Sequence, residues 1–224
     1  MFFQGLTTGR HWENRKVTGQ ISANQKTRRT QAGRSAATRD ALVAAGRRLF
    51  AEHGFAAVST DTITVEAGVT RGAMYHQFAD KTALFDAVLE AVEAGIASRL
   101  ADEVAAAGIA DPVEGLRHAA RVWLDICTEP EIHRVALVDG PSVVGWTRWR
   151  EICRRHVFGL TEALLTQGME LGKMRAQPVR PLAHVVMGAS DEAALYVAES
   201  ADRPRARAEM TAVLDQLIDG IRAT

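Results

Sequence analysis

Gly68 is the residue that most limits how this chain can fold. It sits inside "TVEAGVTRGAMYHQF", residues 64–78, where two short helix-like runs meet at a Gly-Val step. Glycine enters the left-handed backbone region without steric cost, so Gly68 can end one helix and redirect the chain, while Val69 plugs the corner. Upstream, Ser59 or Thr60 is placed to cap a helix whose Ile63 and Ala67 face inward. Downstream, Thr70 caps "RGAMYHQF", in which Met74 and Phe78 have core spacing. That leaves Arg71, Tyr75 and His76 outside, beside the small residues Gly72 and Ala73. A helix that only packs in a core needs no such polar tips. Helix, tight turn, helix is the plan in which the second helix enters the DNA major groove with its first residues at base edges. Its free N–H groups also suit a phosphate.

The remaining pattern predicts an all-α chain. Hydrophobic residues make up 47% and aromatic ones 6%, with alanine abundant and no long β-branched alternation. "TRDALVAAGRRLFAEHG" reads as a helix from a Thr38 cap to a Gly54 stop, with Leu42, Ala45, Leu49 and Phe50 on one face. Asp80 caps a long helix, 81–107, whose inner stripe is Leu84, Phe85, Val88, Leu89 and Val92, and Gly108 ends it. Further helices are predicted over 112–127, 129–138, 142–172, 181–200 and 204–222, with prolines at or near the boundaries. The expectation is about nine helices: a three-helix helix-turn-helix head over 38–86, and a larger helical bundle over 87–224 for ligand binding and dimerisation. Residues 1–37 precede them as a basic, disordered arm.

Charge is uneven. Residues 1–39 carry eight basic residues and one acid, Glu13, although the chain holds 27 of each. The arm is open to three readings: a solvated tail, a segment that meets nucleic acid, or a start assigned too far upstream. The head, residues 40–86, carries four basic residues against six acids, so phosphate neutralisation there is weak. Two distant cysteines and scattered histidines provide neither a disulfide framework nor a metal site. No cofactor is expected, and no triad order or phosphate loop points to an enzyme. No secretory core and no membrane span is legible, so a cytoplasmic protein is expected.

Residues 38–89 resemble the DNA-binding head of the tetracycline-repressor (TetR) family, through "LFAEHGF", "EAGVTRGAMY", "FADKTALF" and their spacing. The resemblance implies a homodimeric regulator of transcription, most often a repressor, whose C-terminal body receives a small-molecule effector and tilts the heads off a palindromic operator. It implies DNA contact by Thr60, Thr70, Arg71, Gly72, Ala73, Tyr75, His76 and Lys81, with Tyr75 and Lys81 on phosphates and Arg71 and His76 at bases. Asp61 departs from the pattern, standing where family members often carry a basic residue. The rival reading is a DNA-binding dimer without a small effector, controlled by a partner or by concentration.

"DPVEGLRHAARVWLDICTEPEIHRVALVDGPSVVGWTRWREI" and "PLAHVVMGASDEAALYVAES" resemble the C-terminal domain of the SbtR-like branch. Trp146, Trp149, Cys153, Val157, Leu160 and Leu164 recur at helical spacing on what reads as one long helix. They are either core packing or, in part, the wall of an apolar cavity shared with Trp123, Ile126, Cys127 and Phe158. Asp191 and Glu192 interrupt an apolar run. Either one pairs with an arginine across the dimer or faces solvent, or one points into the pocket and selects a cationic or hydrogen-bonding ligand. Small residues at 188–194 and an apolar face on the last helix suggest a four-helix dimer interface.

Overall fold

The computed structural model describes residues 13–223, with side chains described over 31–223. Among these residues there are ten α-helices, one π-helical segment and no strand. Helix α1 (Glu13–His53) buries Leu42, Ala45 and Phe50. Helix α2 (Thr60–Glu66) starts at Ser59, whose hydroxyl accepts the Thr62 N–H at 3.0 Å. Gly68 turns the chain at φ +65°, in the left-handed region the sequence assigns to it. Thr70 then caps α3 (Arg71–Gln77) by accepting the Ala73 N–H. Asp80 caps α4 (Lys81–Ala106), again through its side chain. Phe50, Phe55 and Phe85 form an aromatic knot under these helices, with centroids 5.2–5.7 Å apart.

Helix α4 leaves this head and continues into the body, where Val92, Ile96 and Leu100 are buried. Around it stand α5 (Pro112–Ile126), the π-helical segment Ile132–Asp139, α6 (Gly140–Val144), α7 (Trp146–His156), α8 (Phe158–Glu170), α9 (Val179–Glu199) and α10 (Arg203–Asp219). One hydrophobic cluster runs from Leu42 in the head to Ile218 near the chain end, so head and body share a core. A second cluster joins Leu124 and Cys127 to Ala193, Ala194, Val197 and Leu214.

Three expectations are corrected. Residues 13–37 are helical and continuous with α1 rather than disordered, and Thr38 lies inside that helix instead of capping it. The segment contains no proline, and its two glycines, Gly19 and Gly33, are spaced well apart, so no strong breaker stops propagation. Residues 1–12 of the expected arm lie outside the described residues. The predicted helix over 142–172 is three helices, broken at Gly145, whose φ of +81° no bulkier residue adopts cheaply, and again at Val157. The segment predicted over 129–138 is π-helical over Ile132–Asp139.

Head and body are tied by charge as well as packing. Arg47 of α1 forks onto Glu131 at 2.5 and 2.8 Å, and the Asp139 carboxylate accepts the Phe55 N–H at 2.8 Å. Arg148 of α7 forks onto Asp86 of α4 at 2.7 and 2.8 Å. The aromatic knot anchors the head end of this arrangement, and truncation there leaves a cavity that the rigid helices cannot close. Phe85→Ala is expected to cost about 3–5 kcal/mol, read from the shift of the urea unfolding midpoint.

Candidate functional site

Two places gather functional chemistry. The first is the outer face of α3. Arg71, Gly72, Tyr75 and His76 are exposed, with Thr70 at the helix start, Ala73 half-buried and Met74 buried beneath. Arg71 lies over the Tyr75 ring at 5.7 Å and pairs with Asp61 at 3.2 Å. The acid that departs from the expected pattern therefore holds the cation expected at the bases. Thr60 is half-exposed in the first turn of α2. Lys81 sits differently from expectation. Its ammonium donates to the Phe55 and Val58 carbonyls, both at 2.9 Å, and lies 4.1 Å from the Phe55 ring. This ammonium closes the loop between α1 and α2 instead of standing free for a phosphate.

The N-terminal part of α1 is held against α3. Gln77 donates to the Ser35 hydroxyl at 2.7 Å, and Arg39 stacks on Phe78 at 4.4 Å. An open groove between the two helices is lined by Gln31, Arg34, Ser35, Thr38, Ala73, His76 and Gln77. Gln77 is thus a structural tether, which its position in the sequence does not reveal.

The second place is a cavity of about 60 Å³ inside the body, walled by α4, α5, α7, α8 and α9 with Leu137 of the π-helical segment. Its lining is mainly apolar, with Trp123 and Trp149 among the large side chains. Both indole N–H groups are already used: Trp123 donates to the Ser190 carbonyl at 3.2 Å and Trp149 to the Ala136 carbonyl at 2.9 Å. Of the residues predicted to line a pocket, Trp123, Trp149 and Asp191 do so, together with Cys153, Val157 and Leu160 of the stripe. Ile126 and Cys127 are fully buried in the packed core away from it, and Phe158 stacks on His184. Trp146 is 61% exposed, under the Arg150 guanidinium. The break at Gly145 leaves it on the first residue of α7, outside the cavity wall.

Asp191 pairs with Arg150 of the same chain at 3.1 Å, and burial lifts its carboxyl to about 6 against the pull of that guanidinium. Glu93 of α4 also lines the cavity, and the sequence reading missed it. It is 4% exposed, and its carboxyl is pushed up to about 7, first by burial and then by the charge of Asp191. Its signal was its place on the buried stripe of α4, four residues after Leu89 and three before Ile96. Cys153 donates its thiol to Glu93 at 3.6 Å, and burial raises that thiol well above its usual range. Burial also pushes Cys127 up to about 12, so both thiols stay protonated and unreactive near neutrality.

Residues 42–88 match the family model described as bacterial regulatory proteins, tetR family, and residues 113–221 match tetracyclin repressor-like, C-terminal domain. The chain is 33% identical over 142 residues to the HTH-type transcriptional repressor AcnR of Corynebacterium diphtheriae, covering 61% of this chain and 68% of that one. Its similarity to the transposon Tn10 TetC protein of Escherichia coli is 24% over 155 residues, or 67% and 75% of the two chains. A TetR-family transcriptional regulator from Pectobacterium atrosepticum superposes with a TM-score of 0.73 at 32% identity, covering 86% of this chain and 97% of that one. RolR in complex with its ligand resorcinol shares the fold, with a TM-score of 0.68 at 20% identity over 83% and 89% of the chains. No helix among the described residues is long and apolar enough to cross a membrane.

The geometry of both places can be tested by substitution. Asp61→Asn releases Arg71 and removes a negative charge beside α3. It is expected to tighten binding to duplex DNA by roughly fivefold at low salt and to steepen the salt dependence, as read by fluorescence anisotropy. Glu93 ionises at a higher pH folded than unfolded, so the folded state holds an extra proton between the ordinary carboxylate range and about pH 7. Stability therefore falls as pH rises through that window. Glu93→Gln is expected to be more stable than the parent by roughly 3 kcal/mol above pH 7, with the gap closing below pH 5. Urea titrations at pH 5 and pH 8 measure the difference.

Proposed function

The chain belongs to the TetR family of DNA-binding transcriptional regulators, and from that premise we propose that it is a homodimeric repressor released from a palindromic operator by a small molecule. The observation that carries this reading is the span of α4. Its first turns hold Leu84 and Phe85 in the head core, while Glu93 and Leu100 further along are cavity wall. A molecule that fits the cavity better in one placement of α4 shifts the separation of the two heads; equal fit in both placements shifts nothing. The neighbour RolR, crystallised with resorcinol, supports a ligand role for the equivalent body. The presence of a cavity beside the Trp123 and Trp149 rings favours this over a dimer without an effector.

Thr70, Arg71, Gly72, Ala73, Tyr75 and His76 on α3, with Thr60 on α2, form the reading head in this proposal. Lys81 contributes by fixing the α1–α2 loop and the start of α4. Basic residues on the N-terminal part of α1 supply positive charge for the DNA backbone. Dimerisation uses α9 and α10, where Val185, Tyr196, Val213 and Leu217 are exposed while Ala193, Ala194 and Leu214 are buried within the chain.

Selection from random duplexes is expected to return an inverted repeat with half-site centres roughly one helical turn, 34–36 Å, or slightly more apart. Failure to enrich any repeat overturns the repressor reading. A chain beginning at residue 31 is expected to enrich the same repeat with a shallower salt slope, by about 0.9 for each phosphate that the shortened α1 no longer neutralises. Leu217→Glu is expected to shift the protein to monomer in sedimentation and to abolish operator binding.

A further inference from the structure

Glu93 is the one charged side chain in the fully buried class among the described residues. A carboxylate at that depth normally has a cation beside it, because an unpaired buried charge is costly. The acids nearby have theirs. Glu90 is paired with Arg148, Arg155 and His156, and Asp191 with Arg150. Glu93 takes only the weak Cys153 thiol, and among the described residues no Lys, Arg or His nitrogen pairs with it. The charged groups that act on it most, Asp191 and Glu90, share its sign.

The rest of the cavity is equally one-sided. Its lining contains two carboxylates and no basic residue. Arg150, the nearest candidate, is engaged by Asp191 and by the faces of Trp146 and Trp149. The Trp123 and Trp149 N–H groups are taken by backbone carbonyls, so these residues present ring surface and not donors. An anion would enter a site with no positive charge and few free donors. A cation would find an unpaired carboxylate and aromatic faces, both of which favour it.

We infer that the cavity takes a small organic cation, an apolar body carrying one protonated nitrogen that pairs with Glu93. This deepens the effector reading above, on which it rests for its regulatory consequence but not for the binding itself. The cavity is well below the ~150 Å³ that accepts a benzene ring, so the body is restricted to a few carbons.

The test uses the full chain at pH 8 with three probes of similar small size: ethylamine, ethanol and acetate. Quenching of tryptophan fluorescence and calorimetry report binding. Ethylamine is expected to bind saturably, at least about tenfold tighter than ethanol, with acetate not binding. Glu93→Gln is expected to lose at least about tenfold for ethylamine while leaving ethanol unchanged. Glu93→Asp keeps the charge and is expected to keep the preference for the amine. Melting curves establish that both variants are folded. Equal binding of amine and alcohol, an unchanged Glu93→Gln, or no saturable ethylamine binding overturns the proposal.

A second arm adds a selected operator duplex. Binding of ethylamine through Glu93 without loss of DNA supports the cation site and overturns the effector reading. Release of DNA by ethanol or acetate at the same concentration but not by ethylamine does the reverse.

Discussion

The structure depends on α4 being one unbroken helix with buried residues at both ends. Phe85 and Leu84 are locked in the head by the aromatic knot, and Ile96 and Leu100 are locked in the body. Such interiors are packed like solids, so a displacement at one end is not absorbed locally. Because the hydrophobic cluster is continuous from Leu42 to Ile218, the head has no flexible linker on which to turn freely. Any change in head orientation has to repack the faces of α4. In the proposed effector reading, the cavity, whose wall includes Glu93 and Leu100, is where a ligand biases that equilibrium.

The π-helical segment is the second connection between cavity and head. Its Ala136 carbonyl holds the Trp149 indole, and Leu137 is itself cavity wall. Glu131, just before the segment, holds Arg47 of the head, and Asp139 at its end holds the Phe55 N–H. π-Helical turns inside α-helical proteins often mark functional positions, because the widened turn leaves backbone groups for other partners. Here one such backbone group, the Ala136 carbonyl, takes the cavity tryptophan, while the head loop is held by the Asp139 side chain. The ties are half-exposed ion pairs and single hydrogen bonds, each worth about 1 kcal/mol, small enough for a ligand's differential binding to outweigh.

What could be read from the sequence divides along the range of the forces involved. The caps at Ser59, Thr70 and Asp80 and the turn at Gly68 are decided within four residues, and they were legible. The break at Gly145 and the π-helical segment depend on where Trp149 docks, a tertiary matter that helical periodicity does not encode. The expected cavity set mixed residues on two sides of one layer. Trp123 faces the void, whereas Ile126 and Cys127, three and four positions on, face packed core. Glu93 was hidden by a sound habit, since acids on helices are usually solvated. The stripe of Leu89, Val92 and Ile96 around it was the available counter-signal. Asp191 was legible as anomalous, but its partner proved to be Arg150 of the same chain rather than an arginine across a dimer.

The four basic residues of 40–86 all have partners: Arg47 with Glu131, Arg48 with Glu66, Arg71 with Asp61, and Lys81 with two carbonyls. A surface that must meet a phosphate lattice then has little uncommitted positive charge of its own, although phosphate neutralisation supplies much of the affinity of DNA-binding proteins. The N-terminal part of α1 is where basic residues are concentrated, and it is joined to the head by being the same helix. Gln77 on Ser35 and Arg39 on Phe78 fix its direction relative to α3. A helix cannot thread a narrow minor groove as an extended arm does, so in the proposed reading its charge acts along the DNA backbone. In the proposed reading, base contact by α3 and backbone attraction by α1 are thereby held in one rigid unit, and Asp61 holds Arg71 until a base edge competes for it.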